Sequence, residues 1–313
     1  MKLRAAVFGD YRLVLLLAPA LIAVLIFCWI PAAVAIVNAF YDWNGGDERR
    51  FVGAANFIRL AFDPVFWGSM LTLLVLVLAN ILKLVPSIAL AVLIHRMRSQ
   101  RAQYWYRVAV VLPMIVPGLV TLFVWKGFFD ANVGAFNALL EASGMHAVLW
   151  HLDAWLGWGG VFAEGQSPAW LGQSELVLPS LILWGFPWIG SVGVLLYLGG
   201  LQSIGSEIYE AAALDGAGPW RIFRSIELPL ILGQVRTNLT LLFIGTIQGF
   251  GLQYLLLGEN GGPASAGMVP GLWMFNRAFF AAEFGYACAI GLVLAAVIMI
   301  LTWLNHRFVK VER

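Results

Sequence analysis

The sequence predicts an all-α integral membrane protein with six transmembrane helices and both termini in the cytoplasm. Composition, the spacing of apolar runs and the placement of basic residues predict it. Of the 313 residues, 61% are hydrophobic and 12% charged, where a soluble domain carries about 25% charge. One core cannot hide so much apolar surface, so the bilayer is the expected solvent. A crossing helix needs about 20 mostly apolar residues. Six stretches qualify, at about 13–40, 68–94, 108–128, 176–201, 235–257 and 284–304, within a single domain covering 1–313. Basic residues orient them, because inner loops are richer in Lys and Arg. Lys2, Arg4 and Arg12 precede the first stretch, and Arg96, Arg98, Arg101 and Arg107 follow the second. Arg221, Arg224 and Arg236 follow the fourth, and Arg307, Lys310 and Arg313 close the chain. Arg49, Arg50, Arg59 and Arg277 fall on the sparser, outer side.

The first stretch is too long for a signal peptide, contains Pro19 and Pro31, and lacks a small-residue cleavage site. Pro86 interrupts the second stretch, Pro113 and Pro117 the third, and Pro179 and Pro187 the fourth. Such breaks are tolerated where neighbouring helices or water satisfy the freed carbonyls. Lys126 snorkels from the outer end of the third stretch. The loop from 129 to 175 has no Lys or Arg and carries Trp150, Trp155, Trp158 and Trp170, which suits an outer interface belt. Leu149, Leu152 and Leu156 recur at helical spacing, so part of this loop is expected to lie flat on the outer surface. In the sixth stretch Gly285, Ala289, Gly291 and Ala295 permit close helix packing.

The cytoplasmic segment at about 206–229 is polar and punctuated by Gly and Pro. A short helix is expected from Ser206 as N-cap, with Glu207 and Glu210 in its first turn. Ala211, Ala212 and Ala213 favour helix and keep its surface slim. Asp215 precedes Gly216, which can end the helix in a left-handed conformation. Pro219 suits the first turn of a second helix running into Phe223 and Ile226. The knob so formed has two physical readings: a device that enters a groove on another protein, or a linker that pads the inner leaflet.

The run E-A-A-A-L-D-G-A, Glu210–Ala217, resembles the E-A-A-x-x-D-G-A signature of the permease subunits of ATP-binding-cassette importers. The likeness covers nearly the whole chain and points to the carbohydrate (maltose-type) branch. L-Q-S-I-G-S-E-I-Y-E-A-A, Leu201–Ala212, is similar to that branch's pattern, with Gly205 where proline is usual. Phe51–Phe57, Asp63 and Phe66-Trp67 are similar to its first outer loop. Arg107, Pro113, Pro117, Trp125, Gly134 and Asn137 match its pattern around the third span. So do Gly261-Gly262-Pro263, Ala278-Phe279 and Gly285-Tyr286-Ala287 further on, although the threonines often found beside G-G-P are absent.

The resemblance implies a type I ABC importer permease fold in the plasma (inner) membrane of a prokaryote. It implies a second homologous permease, two ABC ATPase subunits, an extracytoplasmic solute-binding protein and a sugar-like substrate. It places ATP and Mg on the ATPase, with no cofactor and no nucleic acid expected on this chain. The coupling segment would dock in a cleft of the ATPase through Glu207, Tyr209, Glu210, Ala211, Ala212, Asp215, Gly216, Ala217 and Phe223. The family's ligand contacts fall on spans equivalent to the fourth to sixth.

Two helical faces suit a hydroxyl-rich ligand: Trp184, Trp188 and Ser191 in the fourth stretch, and Thr246, Gly249, Phe250 and Gln253 in the fifth. Ordinary helix packing gives the same residue types. Asn80 and Lys83 are the odd pair in the second stretch. An intramembrane lysine is costly. Lys83 would meet an anionic ligand such as a sugar phosphate, pair with a carboxylate of the partner permease, or snorkel.

Other classes lack their residues. An ion-coupled secondary carrier would prefer paired intramembrane carboxylates, and Asp and Glu here sit almost wholly in loops. A membrane enzyme needs a clustered nucleophile or metal set, and His95, His146, His151 and His306 are scattered. Nothing matches G-x-x-x-x-G-K-[ST], so no phosphate-cradling loop is expected. Cys28 and Cys288 lie in apolar runs and read as small buried hydrophobes. Carriage of a non-sugar solute such as a glycerol phosphodiester stays open.

Overall fold

The computed structural model of the protein describes residues 11–163 and 165–309. Lys2, Arg4, Lys310 and Arg313, used above to orient the chain, lie outside the described residues. The chain runs through α1 (Tyr11–Val24), a π turn at Leu25–Trp29, α2 (Ile30–Asn38), β1 (Tyr41–Trp43), β2 (Arg49–Phe51) and α3 (Ala55–Ala61). Next come α4 (Pro64–Leu82), α5 (Leu84–His95), α6 (Gln100–Val111), α7 (Gly118–Phe128), α8 (Ala135–Ala142) and α9 (Met145–Leu156). Then follow α10 (Ser174–Leu183), α11 (Ser191–Gln202), α12 (Ser206–Leu214), α13 (Pro219–Ile222) and α14 (Leu228–Leu230). The last are α15 (Leu232–Gln248), α16 (Gly251–Leu257), α17 (Pro270–Phe279) and α18 (Phe284–Phe308).

By length and composition, three continuous helical stretches among the described residues can cross a bilayer: Leu15–Asn38, Pro64–His95 and Phe284–Phe308. The prolines shape the rest. Pro113 and Pro117 withhold two backbone donors, and the third apolar stretch bends by 91° between α6 and α7. The fourth is not one helix but α10 and α11, parted by an irregular segment at 184–190. The fifth ends at Gly249, where the backbone turns extended (φ −72°, ψ 122°) before α16.

Two compact units contain these elements: one is the chain up to Asp63 with Met274–Ala295, the other Pro64–Trp273 with Ala296 onward. In the first unit, β1 and β2 pair antiparallel with Tyr41 opposite Phe51 and Trp43 opposite Arg49. Asn56 donates its amide to the carbonyls of Ala39 and Tyr41, both at 2.9 Å. The hairpin then meets the start of α18. Tyr286 donates to Asp63 Oδ2 at 2.6 Å, and the Arg59 guanidinium lies 4.0 Å above the Tyr286 ring while pairing with Glu283. A Cβ on Gly285 would collide with the carbonyl oxygen of Tyr41, so glycine permits this approach. The family-like residues Phe51–Phe57, Asp63 and Gly285-Tyr286 therefore form one contact region.

In the second unit, α4 and α5 form the central post. α10 and α15 pack against α4, and α11 runs along α5. One core joins Ala91, Ile94, Val194, Tyr197, Leu201 and Ile231. A second joins Leu76, Val177, Leu181, Met268 and Leu272. The 129–175 loop folds on a core of Phe129, Phe162 and Trp170 that Leu176 of α10 joins, with Trp125, Phe136, Leu149 and Trp150 packed on it. Asn137 fixes this core by donating to the carbonyls of Ala131 and Pro168 and accepting from the Trp170 indole at 2.8 Å. Asp153, 3% exposed, accepts from the backbone N–H of Gly160 and Phe162.

Three expectations are corrected. Trp170 is a core residue, 6% exposed, because the loop has enough aromatics to bury it; Trp155 is 80% exposed. Ala295 is exposed, although Ala289 is buried, so the small-residue spacing does not mark one packed face. Cys28 is exposed and Cys288 half-buried, both as free thiols. The helical window around Cys28 has none of its residues buried, as an apolar surface can be when lipid is the solvent.

Candidate functional site

The residues singled out from the sequence lie in two places, the 206–230 segment and a cavity beside α4. In the first, Ser206 is not the N-cap. Gly205 holds that position with extended backbone (φ −64°, ψ 147°), and no side chain caps the helix. The Glu207 carboxylate folds back over Gly205 into space that a Cβ would occupy. At the other end Gly216 takes φ +68°. The Ala217 N–H reaches the Ala212 carbonyl at 2.9 Å and the Gly216 N–H that of Ala213 at 3.1 Å. This paired pattern is a Schellman closure, which satisfies orphan carbonyls and turns the chain. Asp215 sits at the C-cap, and Pro219 opens α13. Glu207, Glu210, Ala211 and Asp215 are exposed; Ala212 is buried, Tyr209 and Ala217 half-buried. Leu214 and Trp220 are 90% and 71% exposed, so the turn presents two large apolar side chains.

The base of this knob is latched to α5. A π turn at Phe223–Glu227 leads into Leu228-Pro229, and Phe223 packs on the core of Ala91, Ile94 and Leu201. Glu227 is fully buried. Arg96, next after α5, donates Nη2 to its Oε2 at 2.6 Å and Nε to its Oε1 at 3.0 Å. The same Nη2 donates to the Pro219 carbonyl at 2.9 Å. The Tyr209 hydroxyl lies 3.1 Å from His95 Nε2. Burial, then the Glu227 charge, push the Tyr209 hydroxyl up to about 12, so it stays a neutral donor. Sequence reasoning missed His95, Arg96 and Glu227. The local signal was a lone carboxylate at the edge of an apolar run, I-E-L-P.

The second place gathers Lys83, Asn80, Trp184, Thr246, Gly249 and Gln253 around a cavity of about 240 Å³. A neighbouring cavity of about 490 Å³ shares Asn80, Lys83 and Trp184 and adds Ser87, Trp188 and Ser191. Phe250 lines neither and packs in the core beneath. The two helical faces expected to build this lining do not exist as such. One helix stops before Trp184 and resumes at Ser191, and the other breaks at Gly249–Phe250. Trp188 itself adopts φ +61°. Side chains of the α4–α5 post support the broken backbone. Ser87, 2% exposed, accepts from the Gly190 N–H at 2.9 Å and donates to the Trp188 carbonyl at 3.4 Å. One turn earlier Lys83 Nζ reaches the Trp184 carbonyl at 3.4 Å. Asn80 donates to Thr246 Oγ1 at 3.0 Å, and Ser191 spends its hydroxyl on the Val110 carbonyl at 2.6 Å. No cluster of metal-ligating side chains occurs among the described residues.

Residues 87–311 match the family described as binding-protein-dependent transport system inner membrane component. The diacetylchitobiose uptake system permease protein NgcF of Streptomyces coelicolor is 31% identical over 287 residues, spanning 88% of this chain and 75% of that protein. The sulfoquinovosyl glycerol transport system permease protein SmoG of Agrobacterium fabrum is 27% identical over 308 residues, 97% of this chain and 92% of its own. In structure the chain resembles one from a bacterial alginate ABC transporter solved with an alginate pentasaccharide-bound periplasmic protein. The TM-score is 0.77 at 21% identity, with both chains fully covered. The chain has the fold of a type I ABC importer permease and belongs to the family of binding-protein-dependent transport system inner membrane components.

Proposed function

We propose that this chain is the translocation subunit of an ATP-driven importer for a sugar or related polyol, with six spans and both termini in the cytoplasm of a prokaryotic cell. The reading gains support from the sugar systems for which its relatives are named. One observation carries the mechanism: the 206–230 knob offers Leu214 and Trp220 outward while Arg96 and Glu227 hold its base to α5. A part free at its tip and fixed at its root can transmit force. ATP closes a pair of ATPase subunits that grip the tip. The root moves α5, and the spans of this chain and a second permease turn from inward-facing to outward-facing. An extracytoplasmic binding protein then releases solute into the path. ATP and Mg stay on the ATPase, so this chain performs no chemistry of its own. Reconstitution in vesicles with and without the ATPase tests this. ATP-dependent uptake that vanishes without the ATPase is expected; uptake by the permeases alone overturns the reading.

A further inference from the structure

We infer that the cavity beside Lys83 receives an anionic substituent of the transported sugar, a carboxylate, sulfonate or phosphate; the inference rests on the sugar-import reading above. Lys83 lies 12 residues from the His95 end and 19 from the Pro64 end of the apolar helix Pro64–His95. At 1.5 Å per residue that is about 18 Å and about 28 Å along the helix, so Lys83 sits in its interior and not at either end. Its ammonium has three donors. One meets the Trp184 carbonyl at 3.4 Å, and the Trp188 ring centroid lies 6.0 Å away. Both are neutral partners, and among the described residues no carboxylate lies within ion-pair distance of Lys83. A charge at this depth is costly unless paired, so an anion is what the site lacks.

The walls fit a sugar carrying that anion. Gln253 is 8% exposed and lines the cavity. An amide on a cavity wall carries both donors and an acceptor that suit a ligand's hydroxyls. Trp184 offers a flat apolar face beside it. The larger cavity, about 490 Å³, is within the range of small-molecule pockets, about 300–1,000 Å³, and the smaller, about 240 Å³, lies below it.

The test uses the assembled transporter in nanodiscs, without the binding protein, titrated by saturation-transfer NMR. The probes are methyl glucoside, methyl glucuronide and the same ring bearing a 6-sulfonate or a 6-phosphate. The expected result is at least tenfold tighter binding of a charged ring than of the neutral one. Lys83→Met should erase that preference, and Lys83→Arg should keep it. Neutral binding with no preference for the anion overturns this inference and leaves sugar import standing. Equal loss of every probe in Lys83→Met, with the permeases separating, also overturns it and assigns Lys83 to a carboxylate of the partner permease. Failure of every probe to bind removes the sugar reading and this inference with it.

Discussion

Arg96 holds both carboxylate oxygens of Glu227, at 2.6 and 3.0 Å, and the Pro219 carbonyl at 2.9 Å. One guanidinium thus ties the end of α5 to two points of the 206–230 segment. Glu227 is fully buried, and Arg96 is its ion-pair partner. Removing one member of a buried pair costs about 3–5 kcal/mol, while replacing both with apolar residues is often neutral. Arg96→Gln is therefore expected to lower thermal stability strongly, toward the lower figure because Arg96 remains 32% exposed. Arg96→Met with Glu227→Met should recover much of that stability without recovering uptake. Thermal unfolding and vesicle uptake, measured side by side, check both expectations.

Gly216 ends α12 at φ +68° with open space around it. A β-branched residue there costs about 1–3 kcal/mol in backbone strain, whereas asparagine visits this conformation readily. Gly216→Val should leave ATP hydrolysis running but cut uptake, and Gly216→Asn should retain most of it. Equal uptake by both variants would show that the turn's shape is unimportant.

Leu214 and Trp220 stand 90% and 71% exposed on a segment whose root is buried. Large apolar anchors dominate interfaces, at about 2 kcal/mol or more each. Leu214→Glu or Trp220→Ser should weaken ATPase association on the order of 30-fold with little change in the permease's own stability. Co-purification at graded ATPase concentrations reads this out.

Tyr209 has its ordinary value of 10.0 raised to about 12, first by burial and then by the Glu227 charge. The folded state therefore holds this proton more tightly than the unfolded state does. Its contribution is whole below pH 10 and is lost as pH climbs through about 12. An ultraviolet titration of wild type minus Tyr209→Phe should show a phenol ionising near 12. An ionisation near 10 would place Tyr209 in water.

Local chemistry made the knob legible. Gly216, Pro219 and the alanine run act within a few residues of themselves, so their pattern survives in one dimension. The same holds for Pro86, behind the interruption at Lys83, and for Pro113 and Pro117 at the bend. Pairings between distant residues left no such trace. Arg96 and Glu227 are 131 residues apart, and Tyr286 and Asp63 are 223 apart. The cavity-lining residues fall between these cases. Counting along a continuous helix puts Trp184 and Trp188 on one face. Gly185 and Pro187 break that helix, so the two rings share a cavity through an irregular turn supported by Ser87 and Lys83.

On the proposed mechanism, ATPase motion enters the chain at the 206–230 segment. The most direct measurement uses Leu214→Cys in a background of Cys28→Ala and Cys288→Ala, in the assembled transporter in a sealed membrane. The expected result is cross-linking of that thiol to the ATPase, a spin-label distance across the contact that shifts when ATP binds, and protection from impermeant thiol reagents outside. Labelling of the thiol from outside, with no cross-link to the ATPase, would contradict it.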